Sequence, residues 1–299
     1  MKYRIIYSKS INTLLRNFFR PFSAILPSTL KFPINGTFSV RSKRKDIPNF
    51  LITTNPTSYF SKKLFWDGIE GFEYNTVRIF CEFVKKAETF IDIGSNIGYY
   101  SLLASAINDK IRVHAFEPMP SAYEFLRENI KINGFSRITA VNTALSSSSG
   151  NATFYAITNE KFRTFPQLTG DGGLNSQHSG LRSKVSFEVI VDTLDDYVRR
   201  NKVNKVDIIK LDAEANEHHV LRGANMVLRD HRPIIQVEIL KGHNENDVYS
   251  ILKEFDYLYF LATEKGLMEV HDFTENTSYN VDYFLIPREK FDSTSFLII

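Results

Sequence analysis

A short glycine-containing turn, with an acidic residue at its start, follows the first strand-like run of the central chain. It reads Asp92-Ile-Gly94-Ser95-Asn96-Ile-Gly98, and in open α/β sheets ligands bind beyond the carboxyl ends of strands. The two glycines let the backbone approach a ligand, and the next helix offers free N–H groups. The G-x-x-x-G spacing is not the G-x-G-x-x-G of dinucleotide-binding proteins. An amino-acid tail fits better, with its ammonium on Asp92; a plain strand-to-helix turn is the alternative.

Two further strand ends carry side chains suited to a nucleoside. Glu117 ends the next predicted strand, where a carboxylate accepts both hydroxyls of a ribose. Asn142 ends the third predicted strand and would neighbour an adenine, although a buried Asn that closes a turn is an equal alternative. These positions predict one ligand that spans neighbouring strand ends.

Candidate proton-transfer groups follow a fourth, apolar strand. The sequence Lys210-Leu-Asp212-Ala-Glu214 runs on to Glu217 and His218. Carboxylates and an imidazole at a site mouth provide the general base that deprotonation of an acceptor hydroxyl requires. The alternative is that the two glutamates cap and charge-balance the following helix while the histidine lies on the surface.

The order of the elements predicts the sheet that would hold these strand ends together. From Lys85 onward, strand-like and helix-like stretches alternate, which is typical of βαβ units and a mostly parallel sheet. Two late runs, at 257–262 and 281–286, are joined only by a turn-rich connector, so we place them antiparallel at an edge. The chain has 299 residues and one cysteine, so its core is held by packing and not by disulfides.

The first 45 residues differ from the rest in charge. They hold ten Lys and Arg and no Asp or Glu, against 27 basic and 34 acidic residues afterwards. The acidic body argues against nucleic acid as a partner, while a basic head is attracted to anionic surfaces. Ile11, Leu14, Leu15, Phe18 and Phe19 recur at helical spacing, which predicts either docking on the body, the favoured alternative, or an interfacial helix.

The division of the chain follows from this head and from one polar stretch. Residues 146–180 are rich in Ser, Gly, Asn and Thr and contain one clear strand, which predicts an inserted hairpin and loop at about 146–185. Loops of this length usually serve binding. We therefore expect a basic N-terminal extension at 1–70 and one domain at 71–299.

Taken together, these motifs resemble the FkbM-type S-adenosylmethionine-dependent methyltransferases, a family of the class I, Rossmann-like group. The matching segments run in family order across about residues 70–240, and several ordered motifs are more specific than one glycine turn. They are FIDIGSNIGYYS at 90–101, AFEPMP at 115–120, TLDD at 193–196, DIIKLDAE at 207–214, VLRGA at 220–224 and IQVEI at 235–239. Residues 68–74 also look like the segment that precedes the first strand in this family.

The resemblance implies a doubly wound, mostly parallel sheet of seven strands with one antiparallel edge strand, and methyl transfer that is usually directed to a hydroxyl. Sugars and natural-product scaffolds are frequent acceptors in the family. Asp212 and Glu214 would face the methyl group or the acceptor, and His218 completes the candidate catalytic set. By matching positions, the donor would be held by Asp92, Gly94, Ser95, Asn96, Gly98, Glu117, Pro118, Asn142, Thr143 and Ala144.

One residue departs from the family pattern. The family usually has Glu-Gly after the fourth strand, whereas this chain has Glu214-Ala215. If that position needs a positive φ, alanine costs of the order of 1 kcal/mol there and could displace Glu214.

The sequence thus predicts O-methylation, with S-adenosylmethionine as donor, of a hydroxyl on a sugar, glycan or natural-product-like small molecule. The alternatives are an inactive methyltransferase-like binding protein and an NAD-dependent oxidoreductase. A divalent metal on Asp212, Glu214, Glu238 and a histidine is not favoured, because no tight ligand motif is present. We expect no nucleic-acid partner and a cytoplasmic location, with peripheral contact at the inner membrane face as an option; oligomeric state stays open.

Overall fold

A computed structural model describes residues 6–158, 160–168, 172–174, 184–240, 242–273, 281–294 and 297–298. The strands are β1 (Gly36–Val40), β2 (Phe50–Thr54), β3 (Thr89–Ile93), β4 (Arg112–Phe116), β5 (Ile138–Val141), β6 (Ala144–Leu145), β7 (Gly150–Ile157), β8 (Lys184–Asp192), β9 (Ile208–Leu211), β10 (Ile234–Glu238), β11 (Tyr257–Ala262), β12 (Leu267–Val270) and β13 (Asp282–Pro287). The helices are α1 (Lys9–Phe19), α2 (Tyr59–Asp67), α3 (Tyr74–Val84), α4 (Tyr99–Ile107), α5 (Pro120–Asn133), α6 (Leu194–Arg200), α7 (Glu217–Arg222), α8 (Glu245–Leu252) and α9 (Phe291–Thr294).

The central sheet is mixed and has eight strands in the order β12-β11-β13-β10-β9-β3-β4-β5. The five strands from β10 to β5 are parallel, and β13 lies antiparallel between β10 and β11. Strand order reverses between β3 and β9, because β4 and β5 extend the sheet on one side and β9 and β10 on the other. Ligand sites of open α/β sheets lie at such a reversal.

Helices cover both faces of this sheet, as the doubly wound prediction requires. Alternate residues of β3 point to opposite faces, so Phe90 joins one buried apolar cluster and Ile91 the other. Helices α3, α4 and α5 pack on the first cluster, and α6, α7 and α8 on the second. The predicted α/β fold, with a large sheet and helices on both of its faces, is confirmed.

Two details of the predicted sheet are wrong. The sheet has eight strands and not seven, because the turn-rich connector contains β12, which pairs antiparallel with β11. The predicted antiparallel pair, β11 and β13, does form, but β13 is inserted beside β10 and β12 takes the edge. Strand β12 has only four residues, and its two central residues, Met268 and Glu269, are exposed. The strand therefore lacks the alternation of apolar and polar residues by which strands are recognised in a sequence.

Local sequence signals set the ends of several helices. Thr193 Oγ1 accepts a hydrogen bond from Asp196 N at 3.1 Å and caps α6. Gly134, with φ of 67°, ends α5 after Asn133, as the Asn-Gly pair predicts. The helical segment after β9 divides into α7 and a π-helical turn at Val227–His231. A Cβ at Gly223 would lie 2.1 Å from the Ser146 carbonyl oxygen, so a close backbone crossing marks this break.

The inserted hairpin forms a small sheet of its own. Strand β7 pairs antiparallel with β8, and β6 adds parallel to β8. The tip of the predicted loop lies outside the described residues, apart from 160–168 and 172–174. The bounds of this insert and of the two predicted domains stay predictions.

The N-terminal residues join the body through a separate antiparallel pair, β1 and β2. Phe38, Val40 and Ile52 of this pair belong to the same apolar cluster as α3 and α4. None of the described helices is long and apolar enough to cross a bilayer.

Candidate active site

The glycine turn after β3 is held against two neighbouring strand ends. Gly94 N and Ser95 N donate to the Phe116 carbonyl oxygen at 3.1 and 2.9 Å. Gly94 has φ of 75°, and a Cβ there would lie 1.9 Å from the Asp212 carbonyl oxygen. Glycine is therefore required by the approach of the β9 end, which fixes the turn beside Asp212. Gly98 makes a similar close contact with Leu126, which packs α4 against α5.

Asp92, at the end of β3, is a buried acid with one unsatisfied oxygen. Its Oδ2 accepts a hydrogen bond from Ser101 Oγ at 2.6 Å. Its Oδ1 is buried and has no hydrogen-bond partner among the described residues. Burial raises the pKa of Asp92, because water no longer solvates the charged form. The position suits a cationic ligand group or an ordered water.

Glu117 ends β4 and holds the start of the next segment. Its Oε2 accepts from Asn96 N and its Oε1 from Met119 N, both at 2.8 Å. Burial raises the pKa of this carboxyl to about 7. The two carboxylate oxygens therefore hold the backbone of Asn96 and Met119 in place. The carboxylate also borders the cavity described below.

Of the residues that the sequence places beside a nucleoside at the third strand end, some line the cavity and one does not. Thr143 and Ala144 line the cavity, as does Pro118 after β4. Asn142 is exposed and is not among the lining residues; its Nδ2 donates to the carbonyl oxygens of Glu117 and Pro118 at 2.7 and 3.1 Å. The structure therefore places Asn142 in the turn-closing position.

A buried lysine, which the sequence analysis passed over, organises the fourth strand end. Lys210 Nζ lies 2.9 Å from Asp212 Oδ2 and 5.0 Å from the Tyr100 ring centroid. Burial alone would lower the pKa of Lys210, but the carboxylates of Asp212 and Asp92 raise it. The ammonium is therefore charged at neutral pH, surrounded by more acids than it can neutralise.

Three of these acids come from distant parts of the chain. Glu73 precedes α3 and accepts a hydrogen bond from Tyr100 Oη at 2.7 Å. Burial and the neighbouring Asp282 raise the pKa of Glu73 to about 7. Burial and Asp212 raise the pKa of Glu238 to about 8, and burial raises that of Asp282 to about 6. We call this set the lysine cluster: Lys210 with Glu73, Asp92, Asp212, Glu238 and Asp282.

One sequence signal pointed towards Glu73. It lies in the segment at 68–74, which already resembled the family segment before the first strand. Glu73 also has φ of 48°, a left-handed conformation that is uncommon for a residue other than glycine. Glu238 was considered only as a metal ligand. The described residues contain no group of three or more His, Cys, Asp or Glu side chains arranged to hold a metal ion.

The turn after β9 places the other candidate catalytic residues differently. Glu214 borders the cavity, whereas His218 is half-buried outside its lining, with Nδ1 3.4 Å from Asn244 Nδ2. Glu217 holds the turn, because its Oε1 accepts from Ala213 N and Ala215 N at 3.0 and 3.2 Å. The structure thus brings Asp212 and Glu214 to the cavity and leaves His218 away from it.

A single cavity of about 630 Å³ joins these parts at the carboxyl edge of the sheet. Its floor contains Asp92, Glu117, Lys210, Asp212 and Glu238, and its volume is in the range of small-molecule sites. Its aromatic and apolar walls are Tyr59, Phe60, Phe72, Tyr99, Tyr100, Phe116, Phe154, Leu168 and Leu174. Its two sides are the glycine turn with Glu117 and the lysine cluster.

The large mixed sheet, with helices on both faces and a cavity at the strand reversal, defines an α/β protein with a methyltransferase-like fold. A model of the methyltransferase FkbM domain matches residues 92–259, more than half of the chain, so the chain belongs to this family.

The individual proteins that the chain resembles share 28% sequence identity or less with it. The hexuronic acid methyltransferase AglP of Haloferax volcanii is 28% identical over 182 residues, which cover 61% of this chain and 68% of that protein. The 31-O-demethyl-FK506 methyltransferase FkbM of Streptomyces tacrolimicus is 24% identical over 160 residues, covering 47% and 60%. A crystal structure of a methyltransferase FkbM from Methylobacillus flagellatus gives a TM-score of 0.44 at 17% identity, covering 67% of this chain and 43% of that one.

Proposed function

We propose that this chain transfers a methyl group from S-adenosylmethionine to a hydroxyl of a neutral sugar or a similar polyhydroxylated small molecule. The observation that carries the proposal is the single cavity that joins the glycine turn and Glu117 to Asp212 of the lysine cluster. Membership of the FkbM methyltransferase family supports methyl transfer. The similarity to a hexuronic acid methyltransferase supports a sugar as acceptor.

The residues beside the glycine turn fit the donor. The unsatisfied, buried Asp92 Oδ1 is suited to the ammonium of an amino-acid tail. Glu117 lies at the second strand end, where ribose hydroxyls bind in related α/β sites. In this proposal Gly94, Ser95, Asn96, Pro118, Thr143 and Ala144 shape the donor pocket, while Gly98 and Asn142 maintain the turns behind it.

When bound, S-adenosylmethionine supplies a methyl group already activated on a sulfonium, which leaves as a neutral thioether. The chain's own tasks are alignment, exclusion of water and acceptance of the hydroxyl proton. Asp212 is the base in this proposal, because it borders the cavity and Lys210 Nζ, 2.9 Å away, fixes its carboxylate. Glu214 borders the same space and would bind the acceptor.

The charge of the lysine cluster favours a neutral acceptor. Glu73, Asp212 and Glu238 border the cavity with Lys210 as the cation among them. Above about pH 8, where Glu73 and Glu238 are ionised, an acceptor carboxylate beside these acids would meet like charge, whereas sugar hydroxyls can donate to them. The aromatic walls give a sugar ring apolar faces to pack on. A neutral sugar should therefore be methylated in preference to the corresponding uronic acid.

The test replaces the base and leaves the donor side intact. Asp212→Asn should lower kcat by about 100-fold or more, since the general base is lost, while the affinity for S-adenosylmethionine stays within about threefold. Calorimetric titration gives the affinity, and methylated product is followed by mass spectrometry. Asp247→Asn, at an exposed ion pair with Arg222, is the control and should leave both unchanged.

The outcomes separate the alternatives. Unchanged turnover in Asp212→Asn would remove Asp212 as the base. Donor binding by the wild-type chain without transfer to any sugar would favour an inactive binding protein, and binding of NAD in place of S-adenosylmethionine would favour an oxidoreductase. A cytoplasmic location belongs to the proposal and is tested by cell fractionation.

A further inference from the structure

Helix α1 lies on the protein through its polar face. Asn12 is buried; its Oδ1 accepts from Asn35 N at 2.9 Å and its Nδ2 donates to the Pro33 carbonyl oxygen at 3.0 Å. Arg16 is buried too, and donates to the Thr37 carbonyl oxygen at 2.6 Å. These side chains satisfy backbone groups along the β1 segment, and so fix the rotation of the helix.

The opposite face of α1 is apolar and points outward. The expectation that Ile11, Leu14 and Phe18 dock on the body is wrong, because they are 38, 73 and 68% exposed. Phe19 alone of the predicted set packs against the core, and Leu15 is half-buried. We call the outward residues the outer face of the head: Ile11, Leu14, Phe18, Phe22 and Ile25.

This concentration of exposed apolar residues is specific to the head. Of eleven large apolar side chains exposed among the described residues, seven lie between residues 6 and 30. Isolated exposed apolar residues are ordinary, but here Ile11, Leu14 and Phe18 share one face of α1, and Phe22 and Ile25 follow in the next turns. Such a concentration of exposed apolar side chains indicates a surface that binds a lipid phase or another molecule. Arg16 and Asn12 hold it outward, so rotation of the helix cannot bury it without losing their hydrogen bonds.

The charge of the head indicates which kind of surface its exposed apolar residues bind. Ten basic and no acidic residues occur in the first 45. A second copy of the chain would bring two such segments together and is disfavoured by repulsion. An anionic lipid surface satisfies both features, because its headgroups attract the basic residues and its interface takes apolar side chains.

We propose that the head docks the protein on an anionic lipid surface, with the outer face inserted at the level of the headgroups. This inference is independent of the methyl-transfer proposal. It has one structural link to the cavity: Tyr7 packs edge-on against Phe162 at 5.1 Å, and the segment that starts there reaches Leu168 in the cavity wall.

Vesicle flotation of the full chain tests the docking. The wild-type chain should float with phosphatidylcholine vesicles that contain about 30 mol% phosphatidylglycerol, and far less with phosphatidylcholine alone. Binding should weaken between about 0.1 M and about 0.5 M salt, because the attraction to headgroups is screened. Leu14→Gln and Phe18→Gln should each lower the partition coefficient about tenfold.

A matched variant separates docking from loss of fold. Ile190→Gln removes an equally exposed apolar side chain, 61% accessible on β8, and should leave flotation unchanged. Both head variants should keep the wild-type Tm, since their side chains are exposed. The proposal is overturned if the wild-type chain does not float, if the head variants float as well as Ile190→Gln, or if they instead convert a dimer to a monomer in analytical ultracentrifugation.

Discussion

The two sides of the cavity are built on different physical principles. On the side of the glycine turn, the Glu117 carboxylate is satisfied by two backbone N–H groups at 2.8 Å, so main-chain geometry positions it. In the lysine cluster, five carboxylates lie around one ammonium, and several of their pKa values are raised. The first side is fixed before any ligand arrives, while the second stores unfavourable charge that a bound ligand can relieve.

This difference assigns different work to the two sides. Backbone-held acceptors lose little entropy on binding and suit recognition of a constant group. Crowded carboxylates with raised pKa values respond to charge and protons, and suit the changing acceptor and its leaving proton. Variants on the first side, and of Asp92, which belongs to the lysine cluster but faces the donor, should therefore change donor affinity. Variants of the other residues of the lysine cluster should change stability, turnover and their dependence on pH.

The largest effect is expected from Lys210→Met. Removal of the ammonium leaves Asp212, Asp92 and Glu73 without their shared cation, which should lower the free energy of unfolding by about 3 kcal/mol near pH 8. Near about pH 5 the loss should be smaller, because Glu73 and Glu238, with pKa values of about 7 and 8, are then protonated. Urea unfolding at both pH values measures it.

Lys205→Met is the control for that experiment. Lys205 is 53% exposed and pairs with Asp207 at 2.8 Å and Glu88 at 3.3 Å, so its loss should cost less than about 1 kcal/mol. Equal destabilisation by the two variants would show that the lysine cluster is not electrostatically special.

The next effect is on the donor side. Glu117→Gln replaces one acceptor oxygen by an NH2 group that faces a backbone N–H, and should weaken S-adenosylmethionine binding about 10- to 100-fold. Asp195→Asn is matched, since Asp195 also accepts two backbone N–H bonds, from Met226 and Val227, away from the cavity. It should lower stability and leave donor affinity unchanged. Calorimetric titration of both variants with S-adenosylmethionine measures the two affinities. Equal losses of affinity would argue against a direct role of Glu117 in donor binding.

A smaller effect concerns the pH profile of stability. A pKa of about 8 for Glu238 in the folded chain exceeds the usual value near 4.5, so its contribution to stability is present at low pH and disappears as pH rises through about 8. Glu238→Gln removes the titrating carboxyl and, with it, this pH-dependent contribution to stability. The decline in unfolding free energy of the wild-type chain between about pH 5 and about pH 8.5 should exceed that of the variant by at least about 1 kcal/mol. Parallel curves for the two proteins would contradict the assignment.

The sequence predicted the glycine-turn side better than the lysine cluster, for the same physical reason. Gly94 and Glu117 follow runs whose β pattern is local, so strand, turn and strand end could be read within 30 residues. Glu73, Lys210 and Asp282 meet only through the sheet order, which places β13 between β10 and β11. No local period encodes that meeting, and the sequence pattern around Lys210 gives this lysine no role of its own.

Two other errors had a similar origin. Strand β12 is short and half exposed, so its four residues carried too little pattern to be recognised. The spacing of Ile11, Leu14 and Phe18 correctly predicted a helix but not its rotation. That rotation depends on Asn12 and Arg16, whose partners are three backbone carbonyls and one backbone N–H of a segment 19–23 residues away. Amphipathic spacing defines two faces and does not say which one meets the protein.

The smallest expected effect tests the departure from the family pattern. Ala215 does have a positive φ, 66°, beside Glu214 at 51°, so the expected strain is present. Ala215→Gly relieves it but loses a buried methyl group and gains unfolded-state entropy, so the free energy of unfolding should rise by no more than about 1 kcal/mol. Ala213→Gly, without a positive φ, should instead lower it by about 0.5 kcal/mol or more. If Ala215→Gly also raised kcat more than about threefold, alanine must have displaced Glu214. The acceptor side of the cavity would then depend on backbone geometry, as the donor side does.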